Sequence, residues 1–263
     1  MKRILTALAA LALIAGSAVP SLAGMLEDIR SRGTVRIGVS LGGEPIGFRD
    51  DQNNPVGYDV EVAKLLAEKL GVPFEFTDVS GDARISMLVS GQLDIVVANT
   101  SATLERAKSV DFTIPYNRAG LRVIVQADSG IKTLADLAGK KVLVGRGTTG
   151  EIFIKKAAPD AELVYVDTFA PDGVLLLQQK RVDAAIEDSS LLDYLATKNP
   201  SLVTIPGLFS NDPISIAVAK GDPEFVRWLD MFVSEYIQSG AYEANYKKWW
   251  GESANPPALN PIW

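Results

Sequence analysis

Hydrophobic and polar positions along the chain follow two periods, one typical of strands and one typical of helices. Residues 34–39 alternate between apolar and polar side chains, which predicts a strand. The run 58–70 has apolar side chains at helical spacing before Gly71, a typical helix stop. A strand, a helix and a strand are then predicted in that order over 74–76, 83–90 and 94–98. Strands that alternate with helices favour a parallel sheet with helices on both faces.

The same alternation starts again in the second half of the chain. Strands are predicted over 121–125, 141–145, 163–166, 182–187 and 214–219, and helices over 134–137, 149–156, 173–179, 189–197, 224–237 and 241–250. Two rounds of this pattern predict two α/β lobes joined by two connections, near 114–120 and 210–213. We expect residues 24–117 plus 216–263 to form lobe 1 and residues 118–215 to form lobe 2.

Matching stretches in the two lobes each lead to a polar side chain. Residues 92–94 run through an apolar stretch to Asn99, and residues 181–183 run through another to Asp188, at the same separation from the preceding aspartate. Ligands of open α/β sheets bind at the carboxyl ends of the strands, so Asn99 and Asp188 are candidate ligand contacts. A chance likeness between two αβ units is the alternative.

The segment ANTSATLER, residues 98–106, collects small polar side chains and an arginine where a strand is predicted to end. Arg106 stands at a predicted helix start, and Ser and Thr side chains are common helix N-caps. Helix capping and a pocket for an anion both explain this composition. From the residues alone, both interpretations stay open.

The first 23 residues have the layout of a cleaved secretory signal peptide, with a basic start at Lys2 and Arg3, an apolar run and a small-residue end at Ala23. The apolar run is too short to span a membrane, and an uncut anchor is the alternative. Cleavage after Ala23 would change the net charge from −6 to −8, because residues 1–23 hold two basic and no acidic side chains. Such an acidic exported protein is a poor partner for nucleic acid or an anionic membrane.

Cysteine and histidine are both missing from the 263-residue chain. An exported chain without cysteine has no disulfide and no thiol for a lipid anchor, so we expect a protein that diffuses freely in a bacterial periplasm. Without histidine, the commonest general base, the commonest zinc ligand and every Ser-His or Cys-His pair are excluded. An enzyme would have to use carboxylates, lysine or tyrosine.

Four stretches, in order over nearly the whole mature chain, resemble motifs of the family 3 solute-binding proteins, the polar amino-acid-binding proteins of bacterial ABC importers. They lie at 44–60 (EPIGF and NPVGYDV), 88–94 (LVSGQLD), 103–116 (TLER and DFTIPY) and 147–150 (GTTG). The resemblance implies a type II periplasmic-binding-protein (venus flytrap) fold, in which a two-strand hinge joins two α/β lobes that close on a ligand. It implies a monomer with no cofactor and no metal, whose partners are an amino acid and an inner-membrane ABC permease.

The resemblance also assigns ligand contacts. Arg106 matches the arginine that pairs with the ligand α-carboxylate, and Asp188 matches the aspartate that holds the α-ammonium. A guanidinium fork can hold a carboxylate through two hydrogen bonds, and amides at a helix start would add positive charge beside it. Further carboxylate contacts match Asn99, Ser101 and Thr149. The candidate ligand-binding set is completed by Thr148, Ala98 and Gly43.

The chain departs from the family pattern at positions that shape the ligand side chain. Gly43 and Gly81 stand where many relatives carry aromatic side chains that sandwich the ligand, and Ser40 stands where an acidic residue often helps to hold the ammonium. These departures argue against a bulky cationic ligand. Charged residues near the predicted cleft are Arg84, Arg146 and Glu44. The arginines favour an acidic ligand side chain and the glutamate opposes it, while ordinary surface charge is the alternative for all three.

Two other functions fit the same scaffold. An enzyme that resembles periplasmic cyclohexadienyl dehydratases would use a carboxylate such as Glu187 as general acid. The sensor module of a kinase would use the same fold, although no later segment of this sequence is long and apolar enough to cross a membrane. The four tryptophans lie outside the predicted cleft, and Trp228, Trp249 and Trp250 are interpreted as helix-packing residues.

Overall fold

The computed structural model describes residues 24–167, 169 and 172–260. Its helices are α1 (Met25–Arg32), α2 (Tyr58–Leu70), α3 (Ala83–Val89), α4 (Thr149–Ala157), α5 (Asp172–Gln178), α6 (Ser189–Lys198), α7 (Pro223–Gln238) and α8 (Ala241–Trp250). Its strands are β1 (Val35–Val39), β2 (Phe48–Arg49), β3 (Pro55–Val56), β4 (Phe74–Asp78), β5 (Ile95–Val96), β6 (Val110–Ala119), β7 (Leu121–Gln126), β8 (Lys141–Gly145), β9 (Glu162–Val166), β10 (Ala184–Asp188), β11 (Leu202–Thr204) and β12 (Asp212–Ala219). Single 3-10 turns cover Arg106–Lys108 and Leu134–Leu137. The predicted signal peptide, residues 1–23, and Trp263 lie outside the described residues.

The strands form two five-stranded sheets with the same internal arrangement. The first sheet has the order β4-β1-β5-β12-β6, and the second has the order β9-β8-β10-β7-β11. In each sheet three parallel strands are followed by one antiparallel strand, β12 in the first and β7 in the second. The parallel strands that the pattern favours are present, but both sheets are mixed, because β12 and β7 run antiparallel to their neighbours.

The chain passes between the sheets twice, along the paired strands β6 and β12. These strands pair antiparallel from Ala119 opposite Asp212 to Val110 opposite Ala219, with register shifts around Ser215. Both predicted lobe boundaries fall inside this pair. The division into lobes at these boundaries stays a prediction, and we use lobe 1 and lobe 2 for the parts around the first and second sheet.

Helices cover both faces of each sheet, as the alternation of elements predicts. On β5 and the residues after it, Ile95 and Val97 belong to a core shared with α2, α7 and α8, whereas Val96 and Ala98 belong to a core shared with α3. The second sheet has α4 on one face and α5 with α6 on the other. None of the helices in the described residues has both the length and the apolar character that a membrane crossing requires.

An aspartate fastens neighbouring strands in both sheets in the same way. The Asp94 backbone N–H donates to Arg36 O, and its carboxylate accepts from the Arg36 backbone N–H at 2.8 Å. Asp183 makes the same pair of bonds with Lys141, again at 2.8 Å to the carboxylate. Asp94 is fully buried and also pairs with the guanidinium groups of Arg36 and Arg32. The predicted likeness between the two lobes is confirmed at the level of individual hydrogen bonds.

Candidate functional site

The segments after β5 and β10 meet between the two sheets and bring Asn99 and Asp188 into contact. The Asn99 side-chain amide donates a hydrogen bond to Asp188 Oδ2 at 2.6 Å. Asp188 is only 5% exposed. Asn99 has a positive φ of 46°, a conformation that asparagine adopts more readily than most residues. The structure therefore brings these two predicted ligand contacts together, and their role in binding stays a prediction.

A buried carboxyl group that the sequence analysis did not single out, Asp59, supports Asn99 from lobe 1. Its carboxyl accepts a hydrogen bond from the Tyr116 hydroxyl at 2.8 Å and lies near the backbone of Asn99. Burial raises the pKa of Asp59 to about 6. In the sequence, Asp59 is part of a stretch that resembles a family motif. Nothing in that motif indicates that residue 59 lies near Asn99.

Arg106 lies beside this contact, but on a shorter turn than predicted. Residues Arg106–Lys108 form a single 3-10 turn before β6 and not the start of an α-helix. The Thr103 hydroxyl accepts a hydrogen bond from the Arg106 backbone N–H, which is the local capping role that the sequence allowed. The predicted helix start with amides that favour an anion is therefore wrong in lobe 1, because a turn of three residues has no appreciable dipole.

The Arg106 guanidinium points into the space between the lobes and bridges them. It donates to Ser101 O in lobe 1 at 2.8 Å and to Gly147 O in lobe 2 at 3.0 Å. Burial, together with the charge of nearby Arg84, lowers the pKa of Arg106 to about 10, so this group is still positively charged at neutral pH. Two carbonyl oxygens leave several of its five N–H donors free for an anion.

Lobe 2 presents the N-terminus of an α-helix to the same space. Thr148 is the N-cap of α4, and its hydroxyl accepts from the Glu151 backbone N–H at 3.2 Å and donates to Gly145 O at 2.8 Å. Thr149 is the first residue of α4 and is half-buried. The helix-terminal amides that suit an anion are thus on the lobe 2 side of the cleft.

A cavity of about 50 Å³ lies where these elements converge. Its lining residues are Ser40, Gly42, Gly43, Ile46, Gly81, Arg84, Asn99, Gly145, Thr148, Asp167, Phe169, Glu187 and Leu191. Of the predicted contacts, Gly43, Asn99 and Thr148 line it directly. Ala98 does not, because its side chain is fully buried in the core shared with α3.

Glu187 lines the cavity, and two further buried or half-buried carboxyl groups, Asp188 and Asp212, lie near it without lining the cavity. Burial, together with nearby Glu187, raises the pKa of Asp188 to about 8. Burial also raises the pKa of Glu187 and of Asp212 at the start of β12. These carboxyl groups would ionise more readily beside a positively charged guest.

Arg84 on α3 is the second arginine at the cavity. It donates to Asn99 O at 3.3 Å, while its Nε is buried and has no hydrogen-bond partner among the described residues. Arg146 and Glu44, by contrast, behave as surface charges. Arg146 stacks on the Tyr165 ring, and Glu44 accepts a hydrogen bond from the Tyr194 hydroxyl at 2.6 Å.

The Tyr194–Glu44 bond also joins the lobes on the outer side of the cleft, and a tryptophan joins them at the back. Trp250 stacks on Tyr246, as a packing residue would, but its indole N–H also donates to Ser190 O in lobe 2 at 2.8 Å. Trp250 therefore packs as predicted and, in addition, forms a hydrogen bond between the lobes that was not predicted. Trp228 and Trp249 contact Phe225 and Phe48 within lobe 1, as predicted.

The cleft offers a small guest positive donors and negative acceptors from opposite sides. Arg106 and the start of α4 supply N–H donors for an anionic group, while Asp188 and the side-chain oxygen of Asn99 supply acceptors for a cationic group. An enclosed zwitterion needs both kinds of partner, because an unpaired buried charge is strongly unfavourable. The arrangement suits a small molecule that carries both charges.

The chain is similar to a described family of proteins. The model of the bacterial extracellular solute-binding proteins, family 3, matches residues 35–252. The L-cystine-binding protein TcyJ of Escherichia coli K12 is 31% identical over 249 residues, which cover 92% of each chain.

Solved structures of similar proteins have the same fold. A solute receptor for L-cysteine of Neisseria gonorrhoeae is 31% identical with a TM-score of 0.83, over 88% of this chain and 97% of that chain. The ancestral amino acid-binding protein described as a precursor of cyclohexadienyl dehydratase is 34% identical with a TM-score of 0.80, over 86% and 99% of the two chains. The two-lobed fold implied by the sequence motifs is confirmed.

Proposed function

Because the chain belongs to the bacterial extracellular solute-binding proteins of family 3, we propose that it captures an amino acid between its two lobes and delivers it to an ABC permease. The names of the similar proteins support this, since they bind cystine, L-cysteine or an amino acid. The Asn99–Asp188 contact across the cleft carries the proposal, because it sets an acceptor-only side chain opposite the Arg106 guanidinium.

In this proposal the ligand α-carboxylate binds the free N–H donors of Arg106 and the amides at the start of α4. The α-ammonium binds Asp188 and the side-chain oxygen of Asn99, which is buried and has no partner in the described part of the chain. Ionised Asp188 is the form that attracts an ammonium, so capture at neutral pH releases a proton from its raised-pKa carboxyl. Each charge of the ligand is held by a contact from both lobes, and binding therefore stabilises the closed arrangement.

Enzymatic turnover is the alternative on this scaffold, with Glu187 as general acid beside the cleft. The similarity to proteins named for binding supports a role without catalysis. Turnover of prephenate or arogenate by the purified protein would support the enzyme instead. The proposed setting is a bacterial periplasm, reached after removal of residues 1–23, with the protein as a monomer that has no lipid anchor.

The experiment compares Arg106→Ala with Lys108→Ala, a matched control on the same turn whose exposed side chain pairs with Glu105. Protein purified without refolding is first examined by native mass spectrometry for retained cargo, and calorimetry then measures binding of each amino acid. We expect one or a few amino acids to bind the wild type. Arg106→Ala should weaken binding at least about a hundredfold, and Lys108→Ala should not.

Two results would count against this account. Wild-type affinity in Arg106→Ala would remove the role given to the guanidinium. A wild type that binds no amino acid from a complete panel would contradict the proposed function.

A further inference from the structure

Backbone atoms of the two lobes meet directly on one side of the cavity. A Cβ atom added at Gly81 in lobe 1 would lie 2.5 Å from Arg146 O in lobe 2 and 3.1 Å from the Thr148 methyl group. A Cβ added at Gly147 would lie 2.9 Å from the Asp82 Cα. Because these neighbours are mostly backbone atoms, they cannot rotate away. The two glycines therefore allow an approach that any other residue would prevent.

This close approach keeps the cavity small. A volume of about 50 Å³ holds roughly four water molecules at ~10–15 Å³ of probe-occupied volume each. Gly43 also lines a larger space of about 770 Å³ between the lobes, so the limit applies on the side where Gly81 meets Arg146. There a long ligand side chain would need the lobes to separate, which would lengthen the Asn99–Asp188 and Arg106–Gly147 bonds. A short side chain needs only local adjustment of the lining residues. The closed cleft thus favours a ligand with a short side chain.

Arg84 adds a polar requirement to this limit on size. Its guanidinium lines the cavity and has a single long hydrogen bond, to Asn99 O, and no ion pair with any described carboxylate. Its Nε is buried without a partner in the described residues. A buried donor that lacks a partner is unfavourable until an acceptor reaches it. In the cavity lining the charge of Arg84 is offset by Glu187, whose pKa is raised by burial. Arg106 and Asp188 are assigned to the two charges at the ligand α-carbon, which leaves the ligand side chain to provide an acceptor for the guanidinium of Arg84.

We infer that the cleft selects an amino acid whose short side chain ends in a hydrogen-bond acceptor, with Arg84 as its donor and Gly81 setting the limit on length. Serine, cysteine, asparagine and aspartate belong to this class, whereas alanine lacks the acceptor and glutamine, arginine and phenylalanine exceed the length. The inference rests on the proposed function, because it names the substrate class of the same site.

The test is calorimetric titration of the full mature protein with L-alanine, the four short polar amino acids and the three long ones. We expect the best short polar ligand to bind at least about tenfold more tightly than alanine and than every long ligand. Arg84→Met should remove this preference over alanine, lowering the affinity for the polar ligand at least about tenfold while leaving alanine within about threefold. Arg49→Met is the matched control, an exposed arginine of lobe 1 that does not line the cavity and should change nothing.

Gly81→Ala tests the limit on length separately. The added methyl group should hold the lobes apart and weaken the best short ligand at least about tenfold. Circular dichroism checks that each variant folds, and Arg84→Gln replaces Arg84→Met if the latter does not.

The outcomes separate the inference from the function on which it rests. A protein that binds an amino acid through Arg106 but prefers a long side chain would overturn the inference alone. The same holds if the Arg84 variant weakens alanine and the polar ligand equally, or if Gly81→Ala binds like the wild type. A protein that binds no amino acid at all would overturn the proposed function first.

Discussion

Asp188 is a carboxyl group that is more easily kept neutral than charged in the closed protein. Its neighbours include a second carboxyl group, Glu187, and the amide of Asn99, and little water reaches it. Its counterpart in position, Asn99, has a left-handed backbone conformation and lies near the buried Asp59. Two residues at equivalent strand ends thus form one polar contact at the centre of the cleft.

Because the pKa of Asp188 rises from 3.8 to about 8 on folding, its protonated form stabilises the native state. This contribution is complete below about pH 4 and is lost as the pH rises towards about 8. We expect the unfolding free energy of the ligand-free protein to fall across this range by an amount on the order of a few kcal/mol. Asp188→Asn stays neutral and should flatten the profile, as measured by urea unfolding at several pH values.

The exposed variant Asp51→Asn serves as a control and should keep the wild-type profile. Asp59, with its pKa of about 6, contributes in the same direction, so the Asp188→Asn profile retains part of the slope. A profile that runs parallel to the wild type would contradict the burial of a neutral Asp188.

For individual residues, the sequence predicted where a site residue lies in the fold better than it predicted which other residues contact it. Equal spacing after Asp94 and Asp183 was enough to place Asn99 and Asp188 at corresponding strand ends. The support from Asp59 and the buried Nε of Arg84 depend on packing between segments distant in sequence. No local pattern encodes such contacts.

At the scale of elements, α8 connects the lobes although it belongs to the core of lobe 1. Tyr242 and Tyr246 pack into that core, while Trp250 at the end of the helix reaches Ser190 near the start of α6. Since Asp188 is the N-cap of α6, the contact lies two residues from the cleft. The helix is therefore positioned to favour the closed arrangement.

Trp250→Phe should keep much of the stacking on Tyr246 and lose the hydrogen bond to Ser190 O. We expect ligand affinity to fall by roughly two- to tenfold, which corresponds to one hydrogen bond of the closed state. Trp228→Phe is the control, since Trp228 packs within lobe 1. Calorimetry measures both variants, and equal effects in the two would contradict a specific role for Trp250 in closure.

Elements with strong end signals were predictable from sequence, and those without them were not. The predicted bounds of α2 are confirmed, and the helix ends at Gly71 with a positive φ of 74°. The strands β2 and β3 were missed because two residues each are too few to show a period. The predicted helix at Arg106 was wrong because the segment has no apolar face to bury, with Leu104 left 90% exposed.

At the scale of the whole molecule, the two sheets differ in how the chain completes them. All strands of the second sheet come from one continuous stretch, from β7 at Leu121 to β11 at Thr204. The first sheet needs β12, which lies between β5 and β6 and comes from Asp212–Ala219. The motifs predicted two lobes with two connections, but not that a strand from late in the chain would lie inside the first sheet, between β5 and β6.

A fragment of residues 24–119 therefore lacks the interior strand that joins β5 to β6, and we expect it to remain unfolded by circular dichroism. The matched chain joins Ala119 to Asp212 through an Asn-Gly turn and keeps residues 24–119 and 212–260. Because Ala119 and Asp212 are paired neighbours, this turn closes a hairpin in place of the second lobe. We expect the joined chain to fold, and independent folding of residues 24–119 would contradict the role given to β12.

The position of β12 between β5 and β6 also bears on biosynthesis. The ribosome synthesises β12 only after all strands of the second sheet. The part of lobe 1 that precedes them therefore cannot complete its sheet until β12 has been synthesised. During this delay the polypeptide stays unfolded and can therefore pass through a translocation pore, which the proposed export requires.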